Sequence, residues 1–450
     1  MKTPLFRSSS LLRCTIMQLL SRIIKEHAIH PLRQSTRSKF SARLTPLPQR
    51  PSKHFTHTAT MPSKRPIESV EDANAQAATH KKFNAWQTPG PAAYDFRSDV
   101  MTTPTASMLD AISNTTLQDD VFVEDTTTID LEAHVAALAG HEAALLVMSG
   151  TMGNQVALRT HLTQPPHSVL VDIRGHIINY EAGGVSSISN AMVIPIHPAN
   201  NHHLTLEDIK KHAILSDDVH ACTTRVISLE NTLDGVIMPL DEVRRIASFA
   251  REHGIKFHLD GARLWEAVAA DAGSLSDYAS LFDSVSLCLS KGLGAPIGSV
   301  IVGSKAFIAH ARRIRKMLGG GTRQAGVISA AGRVAIDETF GQGPKGLGGK
   351  LRDSHARARA IEATWVKKGG VLAKPVETNM VWLDIDHEGF SREEFAKLAA
   401  SHGLKVGGGR LVIHYQISDD AIRRLDAVMD AVLEKGKSNR AAGNGVSNGH

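Results

Sequence analysis

Five short runs rich in β-branched residues recur along the middle of the chain: SVLVDI (168–173), TRVISLE (224–230), IKFHLD (255–260), SVSLCLS (284–290) and GSVIVG (298–303). Helical stretches separate them. The clearest is LDEVRRIASFAREHG (240–254), whose apolar residues fall at helical spacing and whose final Gly254 supplies a stop signal. Strand–helix alternation sustained over about 250 residues predicts an α/β fold with a mostly parallel central sheet and flanking helices. Parallel strands need crossover connections, so their carboxyl ends gather at one rim, and ligands of open α/β sheets bind outside that rim. The residues just beyond each run therefore decide what the protein can bind.

After about residue 345 the pattern changes. A long basic helix (KLRDSHARARAIEATWVKKG) leads into NMVWLDID, SREEFAKLAASHG and RLVIHYQI, which read as strand, helix and strand. This predicts a larger domain over 91–345 and a smaller α+β domain over 346–435. Every long apolar run is broken well short of the roughly 18–20 residues needed to span a bilayer, so no transmembrane helix is expected. The formal net charge of +6 joins two unlike parts. Residues 1–65 hold 13 Lys/Arg and one acid, Glu26, for +12; the remainder holds 38 Lys/Arg and 44 Asp/Glu, for −6. The folded body is therefore mildly acidic, and the basic balance gives no reason to expect a nucleic-acid partner. Residues 1–60, rich in Arg and Ser, have the composition of a mitochondrial targeting leader, whereas a start at Met61 would leave a cytosolic protein. Residues 61–90 read as a polar, disordered linker and 436–450 as a disordered Gly/Asn/Ser tail. Cys14, Cys222 and Cys288 are too few and too scattered for a disulfide framework or a zinc site, which fits a reducing compartment; no metal is expected.

The strand ends carry chemistry. TRVISLE closes on Glu230, IKFHLD on Asp260 with Arg263 three residues on, and SVSLCLS is followed directly by Lys291. One such residue alone reads as a surface salt bridge; three strand ends together predict a site. Lysine is rarely buried unless paired or reactive. A lysine can condense with an aldehyde cofactor, and pyridoxal phosphate needs that lysine plus an acid facing its pyridinium nitrogen. The cofactor also needs a phosphate cradle. In LLVMSGTMGNQ an apolar run gives way to Ser149, Gly150 and Thr151 and then a helix, whose N-terminus favours an anion. The glycines at 292 and 294 leave room for the cofactor and for the turn. His176, just beyond SVLVDI, and His220, before TRVISLE, are candidates to hold the ring's face; the chain has 23 histidines, so either could be ordinary.

The motifs DFRSDVMTTPT, SGTMGNQ, EAGG, LENT, HLDGAR, SLCLSKGLGAPIGS and RKMLGGGTRQAG occur in that order. In these the chain resembles the L-threonine aldolases, pyridoxal-phosphate lyases of fold type I, from about Asp95 to Ile417. The resemblance implies that Lys291 is the Schiff-base lysine, that Asp260 faces the pyridine nitrogen and Arg263 the O3′ edge, and that Gly150 and Thr151 hold the phosphate. It implies that His176 stacks on the ring beside the substrate hydroxyl, that His220 is a second active-site histidine, and that Ser98 and Arg410 clamp the substrate carboxylate. Arg323 would reach a neighbouring subunit's site, making the enzyme a homotetramer with shared active sites. Phe122, Val123 and Thr126 depart from the family's DDVYGEDPT pattern, removing a tyrosine hydroxyl expected near the site. Leu233-Asp234 stands where a His-Asn pair is frequent.

The reaction implied is retro-aldol cleavage of L-threonine or L-allo-threonine to glycine and acetaldehyde, with His176, directly or through a water shared with His220, as base. Another pyridoxal-phosphate lyase, such as a β-eliminating enzyme acting on serine- or cysteine-like amino acids, is the alternative. A nucleotide-binding Rossmann protein would lack its full Gly-x-Gly-x-x-Gly and leave Lys291 unexplained. A dead paralogue would have no need of both Lys291 and Asp260.

Overall fold

The computed structural model describes residues 86–341 and 347–445, all within one compact unit. The expected leader and residues 61–85 of the expected linker lie outside the described residues.

Seven strands form the central sheet: β1 (Ala143–Val147), β2 (Ser168–Asp172), β3 (Met192–Ile196), β4 (Thr224–Glu230), β5 (Lys256–Asp260), β6 (Ser284–Cys288) and β7 (Ser299–Gly303). Their order is β1-β7-β6-β5-β4-β2-β3. Strands β3, β2, β4, β5 and β6 run parallel, while β7 lies antiparallel to both β6 and β1. The fold is thus the mostly parallel α/β architecture expected, with GSVIVG as the reversed strand. β2, β6 and β7 are buried along their whole length, because helices cover both faces of the sheet. The helix α1 (Gly150–His161) follows β1, and α2 (Leu240–Glu252) precedes β5. α2 buries Val243, Ile246, Ala247, Phe249 and Ala250, one stripe of its surface, and Gly254 beyond it adopts φ +63°. Burying each large apolar side chain of that stripe contributes roughly 1.5–3 kcal/mol.

The C-terminal part of the chain forms a second sheet, in the order β10-β9-β8, from β8 (Leu372–Lys374), β9 (Met380–Leu383) and β10 (Arg410–Val412). The helices α3 (Gly349–Lys367), α4 (Arg392–Ser401) and α5 (Asp419–Gly445) pack around it. Its core contains Trp365, Val381, Phe395, Leu411, Leu425 and Val428.

Two expected boundaries differ from the structure. Phe96 belongs to this second core, and its N–H donates to the Lys405 carbonyl at 2.8 Å while its own carbonyl accepts from Val412. The segment after residue 90 therefore returns to the C-terminal sheet, although it comes first in the chain. Trp86, assigned to the linker, packs against the main core. The tail expected from 436 is helical as far as Gly445, since α5 continues past the boundary. Among the described residues no helix is long and apolar enough to cross a membrane.

Candidate active site

The sheet brings its chemistry to one rim through register. Ser299 lies opposite both Val147 and Cys288, so the ends of β1 and β6 are level. Glu230 is the register partner of Asp260, and Asp260 of Ser286. Between this rim and the second sheet lies a cavity of about 750 Å³ whose lining includes Ser98, His176, Glu230, Arg263, Lys291 and Arg410. The chain segment that returns to the second sheet supplies Ser98, and β10 supplies Arg410.

Lys291 follows β6 at the head of a tight turn, closed by donation from the Gly294 N–H to the Lys291 carbonyl at 2.9 Å. Gly294 has φ +89°, and a Cβ there would collide with the Tyr415 hydroxyl; a Cβ on Gly292 would collide with the Glu266 carboxylate. The room these glycines leave is filled by the protein's own side chains, not kept for a ligand as the sequence suggested. They let the turn sit close enough to aim Lys291 into the cavity.

Asp260 is only 3% exposed. Its carboxylate accepts from Asn154 Nδ2 at 2.7 Å and from the Ala262 N–H at 3.1 Å. The second amide hydrogen of Asn154 goes to Glu181 at 2.9 Å, and Glu181 in turn holds His176 Nδ1 at 2.8 Å. A ring nitrogen of His176 and carboxylate oxygens of Glu181 and Asp260 lie within 4.8 Å of one another. The hydrogen bond to Glu181 raises the pKa of His176 above its usual value. The His176 backbone N–H donates to Glu230 at 2.8 Å.

Arg263 is not free. It makes a fork to Asp99, with Nε and Nη2 at 2.8 and 2.7 Å from the two carboxylate oxygens. Burial opposes the charge of Asp99, but Arg263, Lys291 and Arg410 outweigh it and hold the carboxyl well below the usual range. Arg410, by contrast, faces no carboxylate within ion-pair distance among the described residues. Its guanidinium reaches only the Arg97 carbonyl at 3.3 Å and Met380 Sδ at 3.6 Å, and lies 5.8 Å from the Trp382 ring centre. A half-buried arginine of this kind is a ready receptor for a ligand carboxylate.

The start of α1 completes the rim. Ser149 caps it, accepting from the Met152 N–H at 3.1 Å, while the helix leaves the first N–H groups, those of Gly150 and Thr151, without intrahelical partners. Asn154, four residues on, touches Asp260, so the anion-favouring helix end stands roughly 6 Å along the axis from that contact. A reachable amine, a buried carboxylate, an imidazole beside it and a helix N-terminus are the groups pyridoxal phosphate requires, and they fit it.

Glu230 titrates unusually. Burial, and then the charge of Asp260, push its carboxyl from 4.5 up to about 8. The folded protein therefore holds a proton there that the unfolded chain loses above about pH 4.5, so this contribution to stability is complete below that value and disappears as pH rises through 8. In cofactor-free protein, denaturation midpoints measured from pH 5 to 8.5 should fall with pH, at no more than ~1.4 kcal/mol per unit for one proton. Glu230→Gln should flatten that part of the slope. An unaltered slope would refute the assignment.

Two expected site residues are elsewhere. His220 is exposed in the loop before β4, at the amino end of that strand, with its N–H donated to Asp218. Seven residues of strand, roughly 20 Å, separate it from the rim. Sequence proximity to a strand was the right clue attached to the wrong end. Arg323 is 60% exposed, pairs with Asp119 at 2.7 Å and does not line the cavity. The Phe122 loop does not line the cavity either. Phe122 is 71% exposed and Val123 takes φ +60°, strained for a β-branched residue, so the missing tyrosine hydroxyl is not missing from this cavity. Sequence reasoning does not single out Asp99, Asn154, Glu181 or His258. Each lies within one of the family motifs, but each acts by bonding another side chain rather than by ending a strand.

Residues 95–388 match the model of the beta-eliminating lyase family. The chain is 53% identical to aldolase vrtJ of Penicillium aethiopicum over 84% of this chain and 95% of that protein. It is 46% identical to alanine racemase TOXG of Cochliobolus carbonum (78% and 90% covered) and 45% identical to the low-specificity L-threonine aldolase of Eremothecium gossypii (79% and 91%). Among solved structures, the threonine aldolase of Leishmania major aligns with TM-score 0.62 at 20% identity, covering 75% of this chain and 99% of that one. A serine palmitoyltransferase solved with PLP aligns with TM-score 0.58 at 14% identity (82% and 98%). The chain belongs to the beta-eliminating lyase family, with the low-specificity L-threonine aldolases among its relatives, and is a fold type I enzyme with pyridoxal phosphate as its cofactor.

Proposed function

We propose that this lyase cleaves L-threonine or L-allo-threonine between Cα and Cβ, giving glycine and acetaldehyde. The observation that carries this reading is the convergence in one cavity of Lys291, His176 from the hydrogen-bonded cluster around Asp260, and an Arg410 guanidinium without a carboxylate partner among the described residues. The 45% identity to a low-specificity L-threonine aldolase supports the substrate.

Lys291 would hold pyridoxal phosphate through its aldehyde until a substrate amine takes the lysine's place, and the cofactor, joined to the substrate, would supply an electron sink for the pair released at Cα. The N–H groups of Gly150 and Thr151 hold its phosphate at the N-terminus of α1. Asp260 keeps the ring nitrogen protonated, and Arg263, steadied by Asp99, borders the ring oxygen. Arg410 and the Ser98 hydroxyl bind the substrate carboxylate and so would select which bond at Cα is broken. His176 would hold the face of the ring and takes the β-hydroxyl proton; its basicity is enhanced by Glu181. As the Cα–Cβ bond breaks, the β-carbon leaves as acetaldehyde, and a proton returned at Cα completes glycine. His220 has no part in this within one subunit. The enzyme acts as a homotetramer, with the exposed Arg323 directed to a neighbouring site.

A second reading has support in the family's description and in the similarity to an alanine racemase: the same site could break a different bond at Cα or Cβ. Product analysis separates them. Glycine and acetaldehyde from threonine support cleavage; pyruvate and ammonia from serine indicate β-elimination, and D-alanine from L-alanine indicates racemisation. If either of the latter is the main activity, the aldolase reading is overturned. Arg410→Ala should raise the KM for threonine by about 100-fold, as expected for loss of a charge-assisted fork worth roughly 3 kcal/mol; an unchanged KM would remove it from carboxylate binding.

A further inference from the structure

A line of mostly buried polar side chains runs between α1 and the face of β5 and β6 that it covers, toward the cavity. His161, at the end of α1, places Nε2 2.8 Å from the Ser284 hydroxyl at the start of β6. Ser284 Oγ lies 2.9 Å from His258 Nδ1 on β5, and His258 Nε2 lies 3.2 Å from Asn154 Oδ1. Asn154 then spends both amide hydrogens on Asp260 and Glu181, at 2.7 and 2.9 Å. His258 is fully buried, as are Ser284 and, within 1%, Asn154.

Donor and acceptor chemistry gives this line one direction. Ionised carboxylates only accept, so the Asn154 nitrogen must face Asp260 and Glu181, and its oxygen must face His258. His258 Nε2 must then carry the proton. Burial keeps this imidazole neutral, its pKa pushed down to about 3, so Nδ1 is an acceptor and the Ser284 hydroxyl points its hydrogen there. Ser284 Oγ is left to accept from His161 Nε2–H. Every hydrogen bond in the series donates toward the two carboxylates. The arrangement runs opposite to a proton sink: it concentrates donors on two acids that sit close together, 3% and 5% exposed, and would otherwise repel.

We propose that His258 and Asn154 are positioning residues of the active site: Ser284, donating to Nδ1, supports the Nε2–H tautomer of His258, His258 fixes the Asn154 amide, and that amide holds the Asp260 carboxylate toward the cofactor's ring nitrogen while orienting Glu181 behind His176. The proposal rests on the reading of Asp260 as the partner of that nitrogen. It couples two parts of the site through one amide, so that the acid for the ring nitrogen and the histidine for the ring's face are set together.

The test uses holoenzyme loaded with pyridoxal phosphate labelled with ¹⁵N in the ring, whose nitrogen shift reports protonation directly. His258→Phe and Asn154→Ala should move the resonance toward the unprotonated form and lower kcat about 10–100-fold with KM little changed. His258→Gln, which retains a donor near the Nε2 position, should restore both to within about threefold of wild type. Should His258→Phe fail to fold, Ser284→Ala removes only a hydroxyl, and it should shift the resonance in the same direction by a smaller amount. A shift and kcat unchanged in Asn154→Ala and Ser284→Ala overturn the proposal. Asp260→Ala is the reference. If it moves the resonance and the relay variants do not, the relay alone is wrong; if Asp260→Ala leaves it unmoved, the Asp260 reading fails and the relay falls with it.

Discussion

Lys291→Ala should lower kcat by about 10⁴-fold or more, equivalent to roughly 5.5 kcal/mol of barrier. The amine stands at the head of a turn closed by its own carbonyl and backed by Glu266 and Tyr415, so no neighbour can move in to replace it. Wild-type holoenzyme should show a visible band, which borohydride converts into a stable label recovered on the peptide containing Lys291. The variant should bind the cofactor weakly, through the phosphate and ring contacts alone, with no label. A labelled peptide elsewhere, or threonine turnover within tenfold of wild type, would sink the assignment. Because the side chain ends in open cavity, the substitution should leave the folded state intact, and the circular dichroism spectrum should not change.

Asp260→Ala should cost about 10³-fold in kcat, near 4 kcal/mol, because the group that stabilises charge developing in the ring is lost. The expected loss is smaller than for Lys291, since the cofactor remains attached. The substitution should also be felt at Glu230. Asp260 is its register partner, and the charge of Asp260 is the second cause, after burial, of its raised pKa. Removing that charge should bring the Glu230 titration down from about 8, which a pH series on the cofactor-free variant would detect. Retention of near-wild-type kcat would show that some other group protonates the ring nitrogen.

How far the sequence could be read depended on the kind of interaction. Residues whose place is set by a strand end were legible: Asp260 and Lys291 close β5 and follow β6, and the parallel arrangement puts those ends together. His176 was legible for the same reason. His220 was not, because a histidine beside a strand says nothing unless the strand's direction is applied, and its loop precedes β4. Asp99, Asn154, Glu181 and His258 were hidden for a different reason. Each is defined by a partner distant in sequence, such as Asn154 to Asp260 across 106 residues, and one chain with no periodic signal for such pairs does not disclose them. The boundaries suffered similarly. Phe96 packs in a core whose other buried members come from after residue 357, a closure that local pattern does not encode. The helix to Gly445 runs through residues whose composition favours disorder, because α5 is nucleated upstream by the buried stripe of Leu425, Val428 and Val432.

By itself, then, the sequence determined the α/β class and the cofactor, and it set Lys291 and Asp260 on the rim where chemistry gathers. Those rest on hydrophobic periodicity and on residue types with few alternative uses, both of which are local. Only the tertiary structure decided that Arg263 is already bound to Asp99 while Arg410 has no acid bound to it among the described residues, that His220 stands on the far edge, and that one amide serves both Asp260 and Glu181. These are contacts between elements far apart along the chain, and hydrogen-bond direction has meaning only once both partners are in place.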